Sequence, residues 1–206
     1  IECLLADDPA TAQQLAQRLD TLNRTRRDVE SGMLDEALAI LADFNPGNSH
    51  SLTAWQPDWH IGVIGILASR LKDAFHRPTI VLANSENNAL KGSGRSIPGL
   101  HLRDALDLVD KRHPGLILKF GGHAMAAGLS LPAGRQDEFS HAFEAVVREL
   151  LDPADLEGVI ETDGELDPAD HTYALAEQFD HAVWGQGFPV PLFTATFDVL
   201  AQRVVG

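Results

Sequence analysis

The sequence predicts an α/β protein in which helices pack on a mixed sheet, with a helical stretch before it and a β-like tail after it. Three features point there. Apolar residues between Pro9 and Phe44 recur mostly three or four apart, the repeat of one helix face. From 49 to 151, short β-branched or alternating runs trade places with amphipathic runs of helical length, the alternation of a sheet covered by helices. After Leu151 the chain turns acidic, and then carries Gly, Pro and aromatic residues ahead of another strand-like run.

In the first stretch Leu15, Leu19, Leu22, Val29, Met33, Leu34, Leu38 and Leu41 mark the apolar face. Asp8 before Pro9 is an N-cap followed by a first-turn proline, and Asn45-Pro46-Gly47-Asn48 carries stop signals. One long helix or two with a break near residue 20 satisfy this pattern equally, and either can connect two domains. Next come a strand over Ser51 to Trp55, a helix over Ile61 to Phe75 and a buried β-branched strand over Thr79 to Ala83. A strand over 88–97, a helix over 101–110, strands over 115–120 and 126–131 and a helix from Arg135 to Leu151 complete the domain. The expected division is therefore 1–48, 49–151 and 152–206, the last holding an acidic linker and the strand-like Leu192 to Leu200.

Composition narrows the function classes. No apolar run nears the roughly 18 residues of a membrane span, so no membrane partner is expected. The start at Ile1 carries no initiator Met, basic region or long apolar run, which suggests a piece of a longer protein rather than a signal peptide. A single cysteine, Cys3, excludes an internal disulfide framework and fits the cytoplasm. The formal charge of -14 argues against binding nucleic acid by bulk attraction. Its distribution is uneven: residues 152 to 180 hold ten acids and no Lys or Arg, whereas residues 91 to 128 hold six bases against three acids. A polyanion should meet the middle of the chain.

Three motifs lie in or near that middle. In Phe120-Gly121-Gly122-His123-Ala124-Met125-Ala126-Ala127-Gly128, small residues surround one imidazole; paired glycines let backbone N–H groups approach an anion, and His123 can donate to a phosphate oxygen. A tight turn with an incidental histidine is the alternative. In Lys91-Gly92-Ser93-Gly94-Arg95-Ser96, Arg95 offers a planar fork for phosphate, and Ser93 and Ser96 can complete the cradle. Neither a P-loop nor a dinucleotide fingerprint is present, and a solvated hairpin edge would have the same composition. In Trp59-His60-Ile61-Gly62-Val63-Ile64-Gly65, His60 sits at a helix start, where free N–H groups attract anions, while close packing accounts for the glycines. Metal and nucleophile motifs are missing: there is no His-Glu-x-x-His, Cys-x-x-Cys, Asp-His-His or Gly-x-Ser-x-Gly. Asp170-His171 and Asp180-His181 are isolated pairs that read as surface residues.

Taken together and in order, Trp59-His60-x-Gly62-Val63-x-Gly65, Arg77-Pro78, Gly92-Ser93-x-Arg95-Ser96 and Gly121-Gly122-His123-x-x-Ala126-Ala127-Gly128 resemble the DHHA1 domain of the RecJ exonucleases in the DHH phosphoesterase superfamily. The helical 1–44 looks like the end of that family's DHH domain with its connecting helix, and Trp184-Gly185-Gln186-Gly187-Phe188-Pro189-Val190-Pro191 is similar to its entry into an OB fold. The resemblance implies hydrolysis of single-stranded DNA from a 5′ end, with Mn²⁺ or Mg²⁺ held by DHH-domain Asp and His residues upstream of Ile1 and no metal on this chain. It further implies that Ser93 and Arg95 hold the 5′-terminal phosphate, with Gly122 and His123 at the phosphate being cleaved; Ser96, Gly121 and His60 are further substrate-binding candidates. Trp55, Trp59 and Trp184 are candidates for base stacking, with core burial as the alternative. A single-strand-binding protein or helicase is a candidate partner of the full-length enzyme. Two other readings stay open: a nucleic-acid-binding module alone, or a phosphodiesterase for oligoribonucleotides or cyclic dinucleotides.

Overall fold

Asp8 caps the first helix, its carboxylate accepting the backbone N–H of Thr11 at 2.9 Å, and Pro9 fills the first turn, where its missing N–H costs nothing. In the computed structural model this gives one helix, α1 (Pro9–Ile40), without a break near residue 20. Only Met33 and Ala37 of α1 are buried. Much of its exposed length carries one-turn ion pairs, Arg24 with Asp20 and Arg26 with Glu30. The structure describes residues 1–41, 47, 49–85, 88–185 and 188–203. The expected helix end at Phe44 and all of the Asn45-Pro46-Gly47-Asn48 signal except Gly47 lie outside them.

The sheet begins with β1 (Leu52–Trp55), crosses over through α2 (Ile64–Phe75) and returns as β2 (Thr79–Ser85), parallel to β1. An antiparallel extension is built from β3 (Ala89–Arg95), β4 (Lys119–Gly122) and β5 (Ala126–Pro132), in the spatial order β1-β2-β3-β5-β4. Between β3 and β4 lies α3 (Leu102–Arg112), and α4 (Gln136–Leu150) follows β5. The mixed α/β sheet expected from the sequence is present. One strand is displaced: pairing starts at Lys119 rather than 115, because Leu116 and Ile117 fill the core from a connecting loop. Their apolar character reported burial, not pairing.

Two cores flank the sheet. Val81 and Ala83 of β2 join Leu52 and Ala54 under α2 and the end of α1, while Ile80 and Leu82 face α3 and α4 with Leu90, Leu129 and Leu131. A strand buried on both faces has to read as a continuous apolar run, as Thr79 to Ala83 does. Trp59 is buried, and its indole N–H donates to Glu36 of α1 at 2.8 Å, which ties the helix to the loop before α2.

Two polar anchors clamp the ends of the domain. The Arg77 guanidinium is buried and donates to the carbonyls of Ser49, His76 and Leu156; this gives the Arg77-Pro78 motif a structural role. Burial lowers its pKa. Glu144 of α4 accepts the backbone N–H groups of His50 and Ser51 and the Ser51 hydroxyl, and pairs with Arg148. Burial alone would raise the Glu144 pKa, but these hydrogen bonds outweigh it and the net shift is downward.

Contacts divide the chain into units Ile1–Gly158 and Val159–Gly206. In the second unit the acidic stretch contains a helix that the sequence reading missed, α5 (Tyr173–His181), capped by the Thr172 hydroxyl. The Trp184 indole N–H donates to the Phe179 carbonyl at 2.7 Å, and the Trp184 ring stacks on Phe188. The strand expected over Leu192 to Leu200 makes one isolated bridge, Thr194 with Glu165, among the described residues. Of the 184–191 motif, Gln186 and Gly187 lie outside them. No helix of the described residues is long and apolar enough to cross a membrane.

Candidate functional site

Strand alternation sorts the motif residues onto two faces. Leu90, Gly92 and Gly94 of β3 and Ala127, Leu129 and Leu131 of β5 turn toward α3 and α4, so Lys91, Ser93 and Arg95, with Gly128 and Ser130, occupy the opposite face. On that face α2 covers β2 and reaches over β3 at Ser93 and Arg95, but leaves the Lys91 end of β3 and the outer strands β5 and β4 largely bare: Lys91, Lys119, Gly121 and Gly128 are all exposed.

Register aligns the bare face in three rows. Lys91, Ser130 and Lys119 form the first, and Ser93, Gly128 and Gly121 the second. In the third, Arg95 pairs with Ala126, whose carbonyl accepts the His123 backbone N–H at 2.8 Å. Arg95 at the end of β3 and the loop carrying His123, far apart in sequence, thus meet beside the same residue, with His123 exposed. Successive rows lie about 6.7 Å apart along the strands.

The glycines split into two kinds. A Cβ at Gly92 would come within 2.5 Å of Leu129 Cδ2, and one at Gly94 within 2.6 Å of Ile80 Cδ1. These two exist for core packing, not to open space around Arg95. A Cβ at Gly121 would meet nothing within 4 Å, and one at Gly128 only the Gly92 carbonyl oxygen at 3.8 Å. Neither packing nor a positive φ requires glycine at 121 or 128, so their effect is a strip of uncovered backbone between the rows. Gly122 differs: its φ is +150°, and a Cβ would collide with the Ala126 carbonyl oxygen and come within 2.5 Å of Ala127 Cα.

Arg95 is half-buried, and one guanidinium nitrogen donates to both the Ser93 hydroxyl, at 3.3 Å, and the Gly94 carbonyl, at 2.8 Å. Gly65 of α2 makes room for this arrangement, since a Cβ there would lie 3.2 Å from Ser93 Oγ and 3.3 Å from Arg95 Nη2. Lys91, Arg95 and Lys119 have no carboxylate partner among the described residues. Arg77 donates to its carbonyls, and the other Lys and Arg side chains between 49 and 151 each have a carboxylate partner. In a chain of net charge -14, unpaired cations gathered on one open face form a local anion-attracting field.

Not every expected contact residue reaches this face. Ser96 is buried and its hydroxyl donates to the Leu100 carbonyl at 2.9 Å. His60 is exposed but precedes α2, outside the three rows, and its Nδ1 accepts the Gly62 N–H at 3.0 Å. Trp59 is spent on the α1 contact, and Trp55 packs against the α3–α4 core. Conversely, Lys119, Gly128 and Ser130 line a cavity of about 230 Å³ with Lys91, Phe120 and Gly121. The small side chains at every second position of β5, Ala126, Gly128 and Ser130, were the signal for that bare strip. The face does not suit a metal ion: its ionisable side chains are two lysines, an arginine and one histidine, and no group of three His, Cys, Asp or Glu converges among the described residues.

Known proteins resemble this chain in sequence and in fold. Residues 48–149 match the DHHA1 domain model. All of the chain aligns with the single-stranded-DNA-specific exonuclease RecJ of Dickeya dadantii, at 51% identity over 210 residues, and with that of Escherichia coli, at 48% over 213. This chain belongs to the RecJ family. It spans 36% of the length of each of those two RecJ proteins. The crystal structure of RecJ from Thermus thermophilus in complex with Mg²⁺ matches 93% of the chain at 30% identity with a TM-score of 0.75, using 29% of its own length. Its Mn²⁺ complex matches equally well, also at a TM-score of 0.75.

Proposed function

We propose that this chain grips the 5′ end of single-stranded DNA for a metal-dependent 5′→3′ exonuclease of the RecJ type. The observation that carries the reading is the open face beside α2, where cations without carboxylate partners flank a glycine strip on β5 and β4 that packing does not require. The single-stranded-DNA specificity of the RecJ relatives supports single-stranded DNA as the polymer, and the Mg²⁺ and Mn²⁺ complexes support a divalent metal. Such a metal would be held outside these residues, because the face offers two lysines, an arginine and a single histidine but no carboxylate. Residues 49–151 would be the gripping domain, 1–48 its connector and 152–206 the approach to an OB fold.

The division of labour follows from chemistry. Arg95 presents a planar, permanently charged fork, and a terminal phosphate carries more charge than an internal diester, so Arg95 with Ser93 selects the 5′-phosphate. His123 and the backbone of Gly121–Gly122 lie across the same strip and would contact the phosphate being cleaved. Anchoring the terminal phosphate at a fixed distance from the cut sets both polarity and step size. The cytoplasm and cooperation with a single-strand-binding protein or helicase fit such a role. The test is binding of the 206-residue chain to hexathymidylate with and without a 5′-phosphate. The phosphorylated strand should bind roughly tenfold tighter, the value of one charge-assisted contact, and Arg95→Ala should erase the difference. Equal affinities in the unmodified chain would contradict the assignment. With Mn²⁺ added, the chain should release no nucleotide.

A further inference from the structure

The row at the far end of the open face, Lys91, Ser130 and Lys119, adds to the field on which the proposed function rests but is given no contact of its own there. Register places both lysines directly opposite Ser130, one on each side, so their Cα atoms stand about 10 Å apart across two strand spacings. Both are exposed, and neither has a carboxylate partner among the described residues. The Ser130 hydroxyl has no hydrogen-bond partner there either. Between them opens the cavity of about 230 Å³, floored by Gly121 and Gly128. Two like charges facing one hydroxyl repel each other until an anion enters, and the other cations of the domain were given acidic or carbonyl neighbours. Paired ammonium groups with a hydroxyl donor match the oxygens of a phosphodiester, and a floor without side chains lets a polymer backbone lie close.

We propose that Lys91, Ser130 and Lys119 form a second anion subsite, which holds an internal phosphodiester of the DNA strand whose 5′ end sits at Arg95. This rests on the assignment of the Arg95 end to the terminal phosphate. The subsite lies four residues along β3 from Arg95, about 13 Å at the usual strand rise. A stacked strand covers that in about four nucleotide steps of 3.4 Å, and a stretched one in fewer. Affinity therefore climbs with strand length until the phosphate chain reaches the lysines.

Fluorescence anisotropy with 3′-labelled, 5′-phosphorylated oligothymidylates of increasing length, from the mononucleotide to the hexamer, tests this on the 206-residue chain. The expected result is a gain of roughly tenfold between the shortest and longest probes, the worth of one added charge-assisted contact. In Lys91→Gln/Lys119→Gln that gain disappears, and the slope of log K against log salt becomes shallower by about 0.7 for one released phosphate. A double variant that keeps the full gain and the full salt slope overturns the subsite. If Arg95→Gln leaves the affinity for every probe unchanged, the 5′-end assignment fails instead, and the subsite falls with it.

Discussion

Replacing Gly121 by valine separates stability from binding, and the structure predicts opposite signs for the two. Glycine in a strand interior costs roughly 0.5–1 kcal/mol relative to alanine, and β-branched residues are favoured there on a scale of about 1 kcal/mol. A Cβ at this position meets no heavy atom within 4 Å, so no collision offsets the gain. Gly121→Val should therefore raise unfolding stability by about 1 kcal/mol, read as a higher urea midpoint with an unchanged slope. The same side chain would stand on the strip between the Arg95 and Lys91 rows and hold DNA off the backbone, and single-strand affinity should fall at least about tenfold, or 1.4 kcal/mol. The neighbouring Gly122→Ala is the control in the other direction: its collisions with Ala126 and Ala127 should lower stability by about 1–3 kcal/mol. A more stable Gly121→Val that binds DNA as tightly as the parent would refute the argument that this glycine is kept for a ligand.

Gly94→Ala should lose about 1–3 kcal/mol by overpacking against Ile80 and Leu102, measured as a drop in the urea midpoint; an unchanged midpoint would refute the packing role. Stability should also fall on acidification. The His50 pKa is lowered from 6.5, mainly by burial and then by the Arg148 charge, so the folded chain resists protonation that the unfolded chain accepts as pH drops below about 6.5. The Glu144 pKa is lowered from 4.5 because its hydrogen bonds outweigh burial; its contribution is complete above that value and is lost as pH falls through the lowered one. A urea midpoint that stays flat from neutral pH to below 4.5 would contradict both shifts. Glu144→Gln should cost about 1–3 kcal/mol at neutral pH and flatten the acid limb of that curve.

Periodicity made most of the fold legible. The doubly buried Thr79 to Ala83 and the alternating β5 announced their environments through residue type alone, and the Asp8-Pro9 pair marked the helix start to the residue. What stayed hidden depended on partners distant in sequence. All glycines look alike in a string, yet only strand register shows that Gly92 and Gly94 touch Leu129 and Ile80 whereas Gly121 faces open space. The Ser93 and Ser96 hydroxyls are equivalent by composition; the strand ends between them, and Ser96 is left bonded to the Leu100 carbonyl. The α5 helix escaped notice because it is short, and its apolar Tyr173, Leu175 and Phe179 sit in an acidic stretch that reads as a linker. Lys119 was visible only as charge until pairing set it across from Ser130.

On the function proposed here, one face of the sheet, and not the other, receives DNA. A titration of the ¹⁵N-labelled chain with a 5′-phosphorylated hexathymidylate, followed by amide chemical shifts, tests it most directly. Perturbations should gather at Ser93, Arg95, Gly121, His123 and Gly128 and spare the exposed surface of α3 and α4. Shifts concentrated on those two helices, with the glycine strip silent, would contradict the account.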